Sequence, residues 1–154
     1  MILALRRDPP SNANLLGRLF SRVIKARLVS DFCHGGIVID GDLYQANSLH
    51  GLHKVPRGSW TPTNWVLLDV QGDDATALAL FKKHEGAQYD WIGLLAFVGL
   101  RAGRDDWMYC FEWCWLAMTG SNPTARVTPE KLLTYPLVVR SFARARIINL
   151  KDKQ

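Results

Sequence analysis

Three residues in this chain have types and settings suited to acyl-transfer chemistry. His34 stands at the entry of an extended apolar run, Gln45 lies on the run that returns beside it, and Cys110 falls in the first turn or so of an apolar helix preceded by Asp105-Asp106. A free thiol has a pKa of about 8.5, and both a helix N-terminus and a neighbouring imidazolium lower it. A thiol so placed, with an imidazole to take its proton and a polar group to orient the ring, follows the nucleophile, base and orienter logic of cysteine hydrolases. Each residue also has a plainer reading. A cysteine on an apolar helix often only fills core volume, a histidine at a strand start is often a surface or capping residue, and a glutamine on a half-buried strand can simply face water.

The other thiols and imidazoles are less well placed. Cys114 lies four residues after Cys110 on the same helix face, between Trp113 and Trp115, and is expected deeper in the core. Cys33 adjoins His34, so in a strand it points to the opposite face. His34, Cys110 and Cys114 together are a conceivable zinc set, but C-x-x-x-C on one helix is a weak metal signal, so neither metal nor cofactor is expected. The zinc deaminase signature of H-x-E with P-C-x-x-C is absent. His50 and His53 fall where the chain leaves the returning strand and rank below His34 as the base. His84 suits the negative end of a helix.

The elements that must position these residues follow from pattern. Asp8-Pro9-Pro10-Ser11-Asn12 is a breaker cluster before an amphipathic helix from Asn14 to about Ala26. Two extended runs, Gly36–Asp40 and Leu43–Ala46, flank Asp40-Gly41-Asp42 and predict a β-hairpin. Gly51–Val55 continues the sheet, Trp60–Asn64 reads as a loop, and Trp65–Val70 as another strand. Asp73 and Asp74 open a helix through His84, with Gly86 ending it. A buried helix over Asp90–Leu100, a loop over Arg101–Asp106 and a helix over Trp107–Met118 stopped by Gly120 come next. Thr128-Pro129-Glu130 starts a short helix, and Leu137–Leu150 reads as one or two strands. Strands precede helices in the centre, so the expected class is α+β.

Composition bounds the answer further. A chain of 154 residues fits a single domain, since domains usually run to about 100–200 residues. With 48% apolar and 21% charged residues, it resembles an average globular chain rather than a disordered one. The longest apolar run, Trp91–Leu100, is half of the roughly 20 residues a membrane span needs, so no transmembrane segment is expected. MILALRRDPP has arginines and prolines where a secretory leader would be apolar, and an odd, small set of cysteines suits reduced thiols. The expectation is cytoplasmic synthesis without a signal peptide. The net charge of +5 is concentrated at two basic ends that flank an acidic centre. Such ends attract anionic polymers or lipid headgroups. No aromatic residues interleave with them as a base-stacking platform, so nucleic acid is not an expected partner.

The segment SRVIKARLVSDFCHGGIVIDGDLYQANSLHGLHKV resembles the opening of circularly permuted NlpC-type papain-like proteins, including the YiiX-type group. The features that carry the likeness are His34-Gly35-Gly36-Ile37, Tyr44-Gln45-Ala46 and Gly51-Leu52, then Gly86-Ala87-Gln88-Tyr89-Asp90-Trp91-Ile92-Gly93-Leu94, and finally Cys110-Phe111-Glu112. The likeness covers roughly residues 18–118, and the order of His before Cys is the one a permuted chain predicts.

The resemblance implies a small antiparallel sheet packed against helices, with the nucleophile helix after the strands. It implies Cys110 as nucleophile, His34 as general base and Gln45 as the residue that orients the imidazole. Phe111 and Tyr44 would lie beside the substrate, Glu112 would make structural hydrogen bonds, and Tyr89-Asp90 would fix the turn before the buried helix, with Asp90 as its N-cap. Two positions depart from the family pattern: Phe111 replaces a serine, and Gln45 stands where a glutamate is frequent. The implied substrate is an amide bond in bacterial cell-wall peptides. A lipid-ester or acyl-transfer activity is a related option, as in the lecithin-retinol-acyltransferase relatives of the fold. Size and family habit suggest a phage component, an effector, or a subunit of a larger assembly, delivered to the periplasm or cell wall by phage or secretion machinery. The competing reading, favoured by Phe111 and Gln45, is a non-catalytic interaction module that keeps the fold.

Overall fold

Ile2–Arg6 (β1) is a strand that the pattern reading did not assign. Its run Ile-Leu-Ala-Leu does not alternate, because both of its faces are covered and both of its edges are paired. In the computed structural model, which describes residues 1–9, 15–28, 30–90 and 107–135, β1 lies inside the sheet. The other strands are β2 (His34–Ile39), β3 (Asp42–Asn47), β4 (Gly51–Val55) and β5 (Trp65–Asp69). The five-stranded sheet has the order β4-β3-β2-β1-β5 and is antiparallel throughout. Four helices accompany it among the described residues: α1 (Leu15–Leu28), α2 (Asp74–His84), α3 (Cys110–Thr119) and α4 (Pro129–Leu133). The coarse architecture is therefore α+β. No helix among the described residues is long and apolar enough to cross a membrane.

Local sequence explains the turns and caps. Asp40 and Gly41 have φ of 52° and 88°, the left-handed pair of a type I′ turn, which sets the register Gly36↔Gln45 across β2 and β3. The Asp73 carboxylate caps α2 by accepting from the N–H groups of Ala75 and Thr76 at 3.1 and 3.2 Å. Gly120, with φ of 71°, closes α3 and donates its N–H to the Leu116 carbonyl. Thr128 caps α4 at the Lys131 N–H, with Pro129 in the first turn.

The third central helix starts at Cys110, not at Trp107. Residues 107–108 are extended instead: Trp107 bridges Gln88, and the Met108 N–H donates to the Gln88 carbonyl at 2.9 Å. The helix expected over Asp90–Leu100, apart from Asp90 itself, the loop after it and the strands expected over Leu137–Leu150 lie outside the described residues.

The sheet is covered differently on its two faces. Leu3, Leu5, Ile37, Ile39, Tyr44, Ala46 and Leu52 pack with Phe81 of α2 and with Trp113 and Leu116 of α3 in the main core. Ala4, Val38 and Leu43 form a smaller cluster on the other face with Trp60 and Trp65. The Trp113 indole N–H donates to the Tyr44 carbonyl at 2.9 Å, tying α3 across β3.

A short segment after α2 links the sheet edge to α3. The Leu52 N–H donates to the Ala87 carbonyl at 2.9 Å, and the Gly86 N–H returns to the Leu52 carbonyl at 2.8 Å. The same segment then pairs with residues 107–108, so Tyr89 and Cys110 are delivered from adjacent extended backbone. Tyr109, the N-cap of α3, locks this arrangement: its hydroxyl donates to the Val127 carbonyl at 2.8 Å and accepts from the Val127 N–H at 2.9 Å. Tyr109→Phe leaves both buried Val127 groups unpaired, at about 1–3 kcal/mol for each. Its urea midpoint should fall accordingly, and an unchanged midpoint would show that the clamp carries no stability.

Candidate active site

His34 is the first residue of β2 and is paired to β1 through Arg6, whereas pairing with β3 begins only at Gly36. The edge of β2 that faces β3 is therefore open at His34 and Gly35. Strand alternation puts the His34 side chain on the face of Gln45 and Trp65. His34 Nε2 and Gln45 Oε1 are 2.7 Å apart, a short hydrogen bond for which the amide oxygen can only accept. The Trp65 ring meets the imidazole edge-on at 5.7 Å, and the Arg6 guanidinium lies over that indole at 5.3 Å. Burial pushes the imidazole pKa down to about 4, with the positive charge of Arg6 adding to burial and the Gln45 bond opposing it.

Cys110 is the first residue of α3 and is only 1% exposed. Its sulfur meets β2 at the open edge, where the Gly35 N–H hydrogen-bonds to it. One peptide unit thus separates the His34 backbone from the donor that touches the sulfur. The Tyr89 hydroxyl and the Phe111 N–H also hydrogen-bond to the sulfur. Burial outweighs these donors and pushes the thiol up to about 12. The helix N-terminus expected to activate this thiol is present, yet desolvation decides its protonation state. At neutral pH the thiol and the imidazole are each uncharged.

A further layer lies behind Gln45. Its amide nitrogen is 3.4 Å from His53 Nε2, and the Asn47 amide nitrogen is also 3.4 Å from that atom. His53 stands directly across from Gln45 in the register of β3 and β4. Sequence reading ranked it as merely following the hairpin, since the cross-strand register was not visible there. Tyr89 was likewise expected only to fix a turn, and its contact with the sulfur was missed.

Several other expectations change once the side chains are placed. Tyr44, expected beside the substrate, is 7% exposed and packs edge-on against Phe81 at 4.8 Å in the main core, because it alternates with Gln45. Phe111, also expected beside the substrate, is fully buried. A Cβ built on Gly35 would lie 2.9 Å from its ring and 3.2 Å from the Cys114 sulfur, so Gly35 is what admits α3 to the sheet. Glu112 accepts from the Tyr109 N–H at 3.2 Å, and burial pushes its carboxyl up to about 7. Asp90 is 3% exposed and donates its N–H to the Met108 carbonyl at 3.4 Å; the helix it was expected to cap lies outside the described residues. Cys114 is fully buried, and the Cys33 thiol donates to the Arg6 carbonyl at 3.5 Å. Among the described residues no cluster of three His, Cys, Asp or Glu could hold a metal ion.

No protein-family model matches this chain, and no curated protein matches it.

The lowered His34 pKa has a sign that can be checked. Between about pH 6.5 and pH 4 the unfolded imidazole binds a proton that the native one refuses, so this group makes stability fall as pH drops through that window. Urea midpoints at pH 7 and pH 4.5 should therefore fall further for the wild type than for His34→Gln. Equal losses would mean that His34 titrates normally.

Proposed function

We propose that this protein is a cysteine hydrolase of the permuted papain-like type that cleaves an acyl bond through Cys110, His34 and Gln45. The observation that carries the reading is the His34 Nε2–Gln45 Oε1 bond at 2.7 Å. It leaves Nδ1 as the basic atom of the ring, and the next residue, Gly35, donates its backbone N–H to the Cys110 sulfur.

In the first step the Cys110 proton moves to His34 Nδ1 as the sulfur attacks the carbonyl carbon. The negative charge that develops on the carbonyl oxygen meets N–H groups at the start of α3, four of which lack intrahelical partners in any helix. The Tyr89 hydroxyl is a further donor at the sulfur, beside the Gly35 and Phe111 N–H groups. Collapse expels the leaving amine or alcohol, which takes the proton from Nδ1, and leaves a thioester on Cys110. Water then attacks the thioester, His34 takes its proton, and the acid and the free thiol are released. Gln45 holds the ring without supplying a negative charge, so the imidazolium that forms is less stabilised than beside a carboxylate.

The substrate class rests on the sequence resemblance, which points to amide bonds of cell-wall peptides, with lipid acyl bonds as the related alternative. A second reading, a non-catalytic module, is favoured by the burial of Cys110 and by the Phe111 ring packed over Gly35.

Acylation by p-nitrophenyl acetate separates the two. The expected result is a nitrophenol burst with an acetyl group on Cys110 by intact mass, absent in Cys110→Ala and slowed about 10²–10⁴-fold in His34→Ala. Because the base must be neutral, the acylation rate should be half-maximal near pH 4 rather than near 6.5. Release that survives unchanged in Cys110→Ala would sink the hydrolase. Muropeptides and phospholipids, offered in parallel and read by mass spectrometry, decide between the amide and lipid classes.

A further inference from the structure

A glutamine in the orienting position has a weakness that a glutamate lacks. Its two ends differ in hydrogen-bonding sense but hardly in shape, so a flip about χ3 presents an amide N–H₂ to the imidazole instead of an oxygen. Facing a donor, His34 Nε2 would have to be the lone pair, the ring proton would move to Nδ1, and the base would be lost.

The residues behind Gln45 remove that ambiguity. The His53 Nδ1 atom is 3.0 Å from the Gly51 carbonyl oxygen, which can only accept, so Nδ1 carries the proton. A neutral His53 then offers a lone pair at Nε2. The Asn47 amide is fixed from its other end, since its oxygen accepts from the N–H groups of Leu49 and His50 at 3.0 and 2.9 Å. Its nitrogen therefore faces His53 Nε2 at 3.4 Å, and the Gln45 nitrogen reaches the same atom at 3.4 Å. With that nitrogen committed, the Gln45 oxygen must face His34. The chain of senses runs without a conflict from a backbone carbonyl, through two side chains, to the catalytic ring.

We infer that His53 is a positioning residue: anchored on the Gly51 carbonyl, it holds the Gln45 amide with its oxygen toward His34 and so fixes the imidazole tautomer that leaves Nδ1 unprotonated. Its use in proton transfer rests on the hydrolase reading; the tautomer itself does not.

Long-range ¹H–¹⁵N correlation spectra of the ¹⁵N-labelled full chain at pH 7.5 test this without any substrate. In the wild type, His34 should show a protonated Nε2 with a bare Nδ1, and His53 a protonated Nδ1 with a bare Nε2. In His53→Phe the Gln45 amide has no acceptor behind it, and His34 should shift to a mixture of tautomers or to the Nδ1–H form. His53→Gln, whose side-chain oxygen can take the same role, should restore the wild-type pattern. A His34 ring that stays wholly in the Nε2–H form in folded His53→Phe would overturn the proposal. If that variant does not fold, the wild-type spectrum still decides, because a His53 ring protonated at Nε2 breaks the chain. An inert thiol in the acetylation assay together with a His34 tautomer that follows residue 53 would keep this assignment and dismiss the hydrolase.

Discussion

The bond between the His34 ring and the Gln45 amide, 2.7 Å long and partly buried, constrains more of this structure than any other single contact. It joins side chains on neighbouring strands, so it exists only in one register. The type I′ turn at Asp40-Gly41 sets that register, and a slip of one residue would send Gln45 into the main core and Tyr44 out of it. It also needs β2 to be paired on one edge and open on the other at its first two residues. The open edge is where α3 arrives, and α3 can arrive only because Gly35 has no side chain to meet Phe111 and Cys114. Register, open edge and glycine are therefore one requirement seen at three places.

Much of this was legible in the amino-acid sequence, and the reasons for what was not are physical. The Asp-Gly turn, the Asp73 and Thr128 caps and the Gly120 stop are local signals, and the corresponding elements lie where those residues put them. β1 was missed because an unbroken apolar run of four residues carries no period to read once both strand faces are covered. The start of α3 was set three residues early, since Trp107 and Met108 are as apolar as the helix but are held extended by Gln88. The identities of His34, Gln45 and Cys110 could be picked out by type and order. The hydrogen bonds that His53, Asn47 and Tyr89 make could not, because each depends on pairing across strands or between segments that are distant in the chain. Tyr44 and Phe111, expected beside the substrate, are both core side chains, because burial depends on which elements cover a face and local sequence does not show that.

The protonation states decide what kind of chemistry the site can do. With the thiol near 12 and the imidazole near 4, moving the proton from sulfur to ring costs on the order of 10 kcal/mol before the two charges attract. Even at a contact distance of 4 Å, the attraction in a protein environment returns only about 4 kcal/mol. Each group is neutral at rest. A preformed thiolate and imidazolium, the usual way to make a cysteine reactive, is thus not how this arrangement would begin.

That leaves transfer of the proton during attack, and the surrounding residues fit such a scheme better than an ion pair. Arg6 sits close enough to disfavour the imidazolium, and Gln45 offers it a hydrogen bond but no charge, so a resting cation on His34 is weakly stabilised. A neutral ring needs something else, namely the correct tautomer, and tautomer is what a neutral amide can enforce when its own orientation is fixed. A glutamate in place of Gln45 would stabilise a charge on the ring whatever lay behind it; with a glutamine, the groups behind it set which of its ends meets the neutral His34 ring. The difference between those two side chains accounts for why Asn47, His53 and the Gly51 carbonyl line up behind the site in one consistent hydrogen-bonding sense.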